Sequence, residues 1–366
     1  MKKRILSAFK LPETPNDYIR LWYWTGAFLV FLILIIGGIT RLTQSGLSIV
    51  EWSPIMGTIP PLSETDWEIA FDKYKQYPEY QQLNKGMNMS EFKYIFFWEY
   101  LHRLIARITG LIFIIPLLYF LYKKYFDKKQ SQRAFLLLVL GLSQGFMGWF
   151  MVQSGLIDTP MVSPFRLASH LLLAFTIFGC CVWFALDLRP RYRYIITGTV
   201  DFKKWTWAFI SILSVQLFWG ALVAGHKAGY LYNTFPKMEG SWIPETAWIL
   251  EPIFNNLVQN PATVQWVHRV LGTVLLVMVL FIFIWARYQK SGRTLGNWTG
   301  ILAFMIILQY LIGVYTLLWG VPVSLGVIHQ AMAMILFGVT LGFLHFIQNQ
   351  YKLRKRSGKK SKASRR

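Results

Sequence analysis

Phe97-Trp98-Glu99-Tyr100-Leu101-His102-Arg103 and Thr263-Val264-Gln265-Trp266-Val267-His268-Arg269 are two copies of one pattern, and each opens a long apolar run. Outward from them the correspondence continues. Gln144-Gly145-Phe146-Met147-Gly148 precedes His170, and Gln309-Tyr310-Leu311-Ile312-Gly313 precedes His329, with a shorter loop before the second histidine of the later copy. The chain therefore reads as a tandem duplication with two histidines per unit. Facing histidines inside apolar sequence suit a flat, apolar, metal-centred ligand held from both sides. The copies differ at one informative place: Glu99 in the first stands where the second has Gln265.

Composition sets the solvent. Of 366 residues, 54% are hydrophobic and only 15% charged, against about 25% charged in soluble proteins. Runs of about 20 apolar residues mark spanning helices, and such runs fall near 20–42, 95–122, 134–153, 167–188, 205–225, 263–286, 298–320 and 324–347. The expected fold is an all-α integral membrane protein. Its eight transmembrane helices form two four-helix bundles related by a pseudo-two-fold axis, since an even number of spans per copy orients both copies alike. The expected divisions are 1–190, carrying the long outer loop 44–94, then 191–350, then a basic tail over 351–366.

The net charge of +21 is topological and gives no sign of nucleic-acid binding. Lys2, Lys3, Arg4, Lys10 and Arg20 precede the first span. Lys123, Lys124, Lys128, Lys129 and Arg133 lie between the second and third, Arg189, Arg191, Arg193, Lys203 and Lys204 between the fourth and fifth, and Arg287, Lys290 and Arg293 between the sixth and seventh. Every second connection is basic, which predicts cytoplasmic N- and C-termini. A bacterial inner membrane is favoured, because Met1–Arg20 resembles neither a cleaved signal nor a transit peptide. Arg354–Arg366 reads as an unordered basic arm that anchors topology beside anionic lipid. Cys180 and Cys181 are neighbours in the fourth span and read as small packing residues. Zinc has no support, as neither H-E-x-x-H nor a Cys/His spacing is present.

His102, His170, His268 and His329 each fall a few residues into an even-numbered span, at matched depth toward the outer leaflet. Polar groups inside spans cost several kcal/mol unless used, roughly 2.5 or more for a charged one. His226 and His345 break the pattern and read as interfacial. Glu99 precedes His102 by three positions and shares its helix face. Beside a bound macrocycle, a partly desolvated carboxyl is expected to have a raised pKa and to handle a proton or a developing cation; otherwise it pairs with Arg103 or Arg107. Arg103, Arg107 and Arg269 suit haem propionates or lipid phosphates, and Arg41 and Arg166 carry the same two readings. In the long loop, Thr65–Tyr77 looks helical and amphipathic, and is expected on the membrane surface over the first bundle.

The chain resembles haem A synthases of the proteobacterial and mitochondrial type over nearly its whole length. The marks are Gly37-Gly38-Ile39-Thr40-Arg41-Leu42-Thr43, Ser45-Gly46-Leu47-Ser48, Glu51-Trp52, Pro60-Pro61-Leu62, Glu91-Phe92-Lys93-Tyr94-Ile95-Phe96 and Glu99-Tyr100-Leu101-His102-Arg103. Leu222-Val223-Ala224-Gly225, Ala228-Gly229, Asn233-Thr234-Phe235-Pro236-Lys237-Met238 and Gln265-Trp266-Val267-His268-Arg269 follow in the second half. The resemblance implies oxidation of a methyl group of haem O to formyl, giving haem A for cytochrome c oxidase. It implies that His102 and His170 frame the substrate haem, that His268 and His329 ligate a resident haem B, and that Glu99 is the essential carboxylate. Some Gram-positive relatives carry a cysteine pair in the first outer loop, which this chain lacks. The implied partners are haem O synthase, an electron donor and membrane lipid, with self-association left open. The rival readings are a di-haem electron carrier, like membrane cytochromes b, and a haem transporter.

Overall fold

The computed structural model describes residues 12–51, 56–188, 202–290 and 292–363. Lys2, Lys3, Arg4, Lys10, Trp52, Pro54, Arg189, Arg191, Arg193 and the last three residues of the tail lie outside the described residues. Among the described residues there are no strands, and eight helices are long and apolar enough to cross a membrane. They are α1 (Pro15–Leu42), α2 (Met89–Tyr122), α3 (Lys128–Gln153), α4 (Pro164–Asp187), α5 (Phe202–Gly225), α6 (Pro261–Tyr288), α7 (Arg293–Leu318) and α8 (Val323–Ala363). This chain is an all-α, multi-pass membrane protein.

The helices begin earlier than their apolar runs because polar residues cap them. Asn88 accepts from Glu91 N–H while the Glu91 carboxylate accepts from Asn88 N–H, so α2 starts a turn and a half above its first lipid-like residue. Thr14 and Asp17 do the same for α1, ahead of Pro15. The tail differs from expectation. It continues α8 as helix to Ala363, since Lys and Arg are good helix formers and no proline interrupts them.

α1 packs on α2 and α4, and α3 on α4; α5 packs on α6 and α8, and α7 on α6 and α8. Between these groups, α4 meets α5 and α8, and α8 meets α1. The contacts between α4 and α8 are reciprocal. A Cβ on Gly179 would lie 3.1 Å from the Phe337 ring, and one on Gly338 would lie 3.0 Å from the Phe178 ring. Glycine on each helix thus admits an aromatic ring of the other. Close approach also holds α5 to α4, where a Cβ on Gly225 would come 2.6 Å from Pro164 Cα. Gln330 Nε2 donates to Leu34 O across the α8–α1 contact at 3.0 Å.

His345, read as interfacial near the inner end of its span, lies there with its side chain buried between the groups. It bonds Asp187 at 3.0 Å and packs edge-on to Trp183. Asp187 also pairs with Arg133 and Lys129. This cluster is reached because α8 runs alongside the end of α4, which no single-helix pattern reveals. Cys181 is buried and Cys180 half-buried, both as free thiols, as expected of packing residues.

The end bearing the loops 43–88 and 226–260 is termed outer. The helix at Glu64–Lys75 forms close to its expected place. Its apolar face is used by protein: Phe71 and Tyr74 pack with Phe92, Ile95 and Phe96 of α2, the Phe71 and Phe92 rings stacking at 4.8 Å. Under it, Glu79 is 4% exposed and accepts from Tyr74 Oη at 3.1 Å. Burial pushes the Glu79 carboxyl up to about 7, with Glu99 adding to the rise and the Tyr74 bond and Lys227 opposing it. A carboxyl that holds its proton more tightly when folded favours the fold at low pH, and the advantage fades as pH climbs from about 4.5 through about 7. Hydrogen exchange in 63–84, corrected for intrinsic rates, should therefore show local opening roughly tenfold or more frequent at about pH 8 than at about pH 5.5. Glu79→Gln should flatten that dependence. An unchanged pH profile in the variant would assign the effect elsewhere.

Candidate functional site

Each of the four histidines is seated against a glycine of a neighbouring helix. A Cβ on Gly37 would lie 3.0 Å from His102 Nε2, and one on Gly148 3.2 Å from His170 Cε1. A Cβ on Gly220 would lie 3.0 Å from His268 Cε1, and one on Gly313 2.7 Å from His329 Cε1. The even helices α2, α4, α6 and α8 thus supply the rings, and the odd helices α1, α3, α5 and α7 supply the hollows that admit them. Three hollows carry a glutamine one turn before the glycine. Gln144 Nε2 lies 3.4 Å from His170 Nε2, Gln216 Nε2 lies 3.4 Å from His268 Nε2, and Gln309 Nε2 lies 3.2 Å from His329 Nδ1. Gln216 and Gln309 also donate to the backbone carbonyls of His268 and His329. The fourth hollow, beside His102, has Ile33 at that place.

The His268 and His329 ring centroids are 6.5 Å apart. Two imidazoles on opposite sides of one metal, at about 2 Å per metal–nitrogen bond, put ring centroids about 6 Å apart. His102 and His170 lie within electrostatic reach of each other. Buried polar atoms without hydrogen-bond partners gather at both pairs: His170 Nδ1 and Gln144 Oε1 in one, His268 Nδ1, Gln216 Oε1 and Gln309 Oε1 in the other. Native interiors rarely leave such atoms unpaired. Neutral nitrogen donors, apolar walls and unsatisfied polar atoms fit a bis-histidine haem in each pair. Among the described residues, no group of three or more His, Cys, Asp or Glu could hold a separate metal ion.

Glu99 is 3% exposed and fully engaged. Its Oε2 accepts from Ser48 Oγ at 2.7 Å and Ile49 N–H at 2.8 Å, and its Oε1 pairs with Arg103 at 2.7 Å. Of the two arrangements the sequence allowed, the carboxylate takes the ion pair. Arg103 also donates to Ile49 O and Glu51 O, so the pair fastens the outer loop to α2. The second copy repeats the fastening without the charge. Arg269 donates to Tyr232 O and Thr234 O, and Gln265 Nε2 donates to Tyr232 O at 3.1 Å. Both arginines after the histidines are thus loop anchors in this structure. Arg107 lies one turn further along α2, half-buried. Arg166 donates to Phe150 O and stacks on the Phe150 ring at 3.6 Å. Arg41 is half-buried at the end of α1. His226 bonds Val258 O at 2.8 Å and ties together the ends of its loop.

Residues 20–341 match the family described as cytochrome oxidase assembly protein, COX15-CtaA. Three similar relatives carry the name "Heme A synthase". The protein of Nitrosospira multiformis is 42% identical over 91% of this chain and 94% of its own length. That of Flavobacterium johnsoniae is 41% identical over 90% and 98%, and that of Wolbachia pipientis from Culex pipiens is 41% identical over 91% and 98%. The chain belongs to the haem A synthase family. Membership agrees with the resemblance read from the motifs. What the sequence reading did not single out are Gln216 and Gly220, and the contacts that Gly37 makes with His102 and the Ser48–Ile49 cradle with Glu99. Gln216 and Gly220 repeat the spacing of Gln144 to Gly148 and of Gln309 to Gly313, so the signal was present in the sequence. The cradle had none beyond the Ser45–Ser48 motif, because its partner lies far along the chain.

Proposed function

We propose that this protein is a haem A synthase that oxidises a methyl substituent of haem O to a formyl group. Haem O is the substrate between His102 and His170, and haem B the resident cofactor between His268 and His329. The observation that carries the reading is the matched pair of histidine sites with one carboxylate between them: Glu99 stands at the first site and Gln265 at the second. When bound at the second site, haem B would supply one-electron transfer. The remaining work belongs to side chains. His102 and His170 fix the substrate's plane from α2 and α4. Glu99, one helical turn from His102, places a negative charge beside the ring held there. Ser48 and the Ile49 N–H hold that charge in position, and Arg103 limits its reach. A carboxylate so placed can stabilise positive charge developing at the methyl carbon and receive the proton released there.

Two identical electron-carrying sites would have no use for that difference, which is why the di-haem carrier is the weaker reading. The wider setting proposed is a bacterial inner membrane with both termini cytoplasmic. Haem O synthase would be the supplier, and a separate redox protein the electron partner. The experiment is expression beside a haem O synthase, followed by haem extraction and separation. Haem A together with haem B is expected. Haem B alone, at equal protein level, would replace the synthase reading with the carrier.

A further inference from the structure

The two bundles are not equally closed. In the second, α6 and α7 pack along each other and complete a ring with α5 and α8. In the first, the corresponding helices α2 and α3 do not pack closely along each other. The difference is written in side chains. Superposing His102 on His268 and Gln144 on Gln309 sets Gly110 against Leu276, Gly141 against Ile306 and Gly145 against Tyr310. Leu276 and Ile306 belong to the second bundle's core, with Ile306 only 4% exposed. Tyr310 Oη meets Thr273 Oγ1 at 3.0 Å and links α7 to α6. In the first bundle a Cβ on Gly110, Gly141 or Gly145 would meet nothing within 4 Å.

The opening is confined to the outer half. Toward the inner end, Phe113, Leu117 and Phe120 of α2 and Ala134 and Leu137 of α3 join one core with Trp22 and Tyr23. Above that core the seam faces lipid, flanked by Leu111, Leu142 and Phe146, each more than half exposed. It leads to the level of His170 and Gln144, whose Nδ1 and Oε1 are buried without partners. An open side ending at buried, unsatisfied polar atoms indicates a ligand that arrives sideways with its polar centre first. A haem bearing a long isoprenoid tail has that shape: a metal centre for the histidines and a lipid-like chain to leave in the seam. The inference rests on the synthase reading above. We propose that the outer half of the α2/α3 seam is a lateral port through which isoprenoid-tailed haem enters from the bilayer, with the tail lying over Gly110 and Gly141.

The test uses the full chain in lipid nanodiscs, with haem O and tailless haem B as probes. Gly110→Leu with Gly141→Ile gives the first bundle the residues of the second. Haem O uptake into the first bundle should slow about tenfold or more, while the resident low-spin spectrum of the second bundle is unchanged. Gly110→Ala with Gly141→Ala should keep near-normal uptake. Should the larger pair disturb folding, a second measurement decides. In a Cys180→Ala, Cys181→Ala background, Leu142→Cys should react with a lipid-soluble maleimide and be protected by haem O but not by haem B. Equal protection by both haems, or none by haem O, would overturn the port. So would unchanged uptake in the filled variant, or an interchain disulfide at Leu142→Cys, which would make the seam a contact between copies. Uptake is read without turnover. A wild-type protein that takes up haem O by this route yet makes no haem A would therefore defeat the synthase reading alone.

Discussion

Glu99→Gln should leave a folded, haem-loaded protein that makes almost no haem A. The amide is nearly the same size, and Gln265 shows that a glutamine is accommodated at the matching place in the second bundle. Ile49 N–H and Ser48 Oγ can still donate to the amide oxygen. What is lost is the negative charge and its pair with Arg103. Loss of a positioned proton acceptor lowers rates by about 10²- to 10⁴-fold, so haem O should accumulate in cells that also express a haem O synthase. A competing role is purely structural, since the Glu99–Arg103 pair fastens the outer loop through Ile49 O and Glu51 O. Arg103→Lys separates the two, because it keeps a cation but not the fork of donors. If loop fastening were the whole role, Arg103→Lys would lose as much haem A as Glu99→Gln, and exchange in the loop would rise equally in both. Wild-type haem A yield from Glu99→Gln, at equal protein level, would remove Glu99 from the chemistry.

Gly313→Val should abolish the second bundle's bis-histidine spectrum although no ligand is changed. A Cβ there would stand 2.7 Å from His329 Cε1, and valine adds two further carbons in the same direction. Overpacking of this kind usually costs about 1–3 kcal/mol when the neighbour can move. Here the neighbour is the imidazole proposed to ligate the haem iron. The spectrum should match that of His329→Ala, and haem A should fall with it. Gly37→Val is the counterpart on the other side, displacing His102. It should cut haem O binding while the second bundle's spectrum stays intact. Gly300→Ala, where a Cβ would sit 3.6 Å from Phe283, is the control on α7. A retained low-spin spectrum in Gly313→Val would show that the hollow does not position the ring.

The spans were legible because lipid imposes one requirement on about 20 consecutive residues at a time. Their starts were not, since the caps at Thr14 and Asn88 are polar and lie outside the apolar runs. The histidine pairs were legible through duplication, which turns four isolated residues into two matched sets. Their glycine hollows were harder to see. Gly37 and Gly220 face histidines more than forty residues away, and glycine in a membrane helix has many uses. His345 lies toward the inner end of its span, as read, but its partner Asp187 is far along the chain and left no signal. The surface helix over 64–75 was found, but that its apolar face covers Phe92 and Phe96 was not. Amphipathicity identifies a face that is covered, not what covers it.

The closed ring of α5 to α8 bears on how the protein is made. His268 lies on α6 and His329 on α8, which follows it in the chain. A resident haem held between them, as proposed, would be enclosed only once α8 has docked, so its loading would accompany assembly of the ring. Afterwards its residence time is governed by how often the ring opens through local unfolding, and the strength of the metal–nitrogen bonds alone does not set it. In the neighbouring bundle the inner core of α1 to α4 is packed below the level of His170. On the proposed function, one half of the molecule would be loaded once and the other visited at each turnover. Chains made in a haem-starved cell would then fill that half only as slowly as the ring opens.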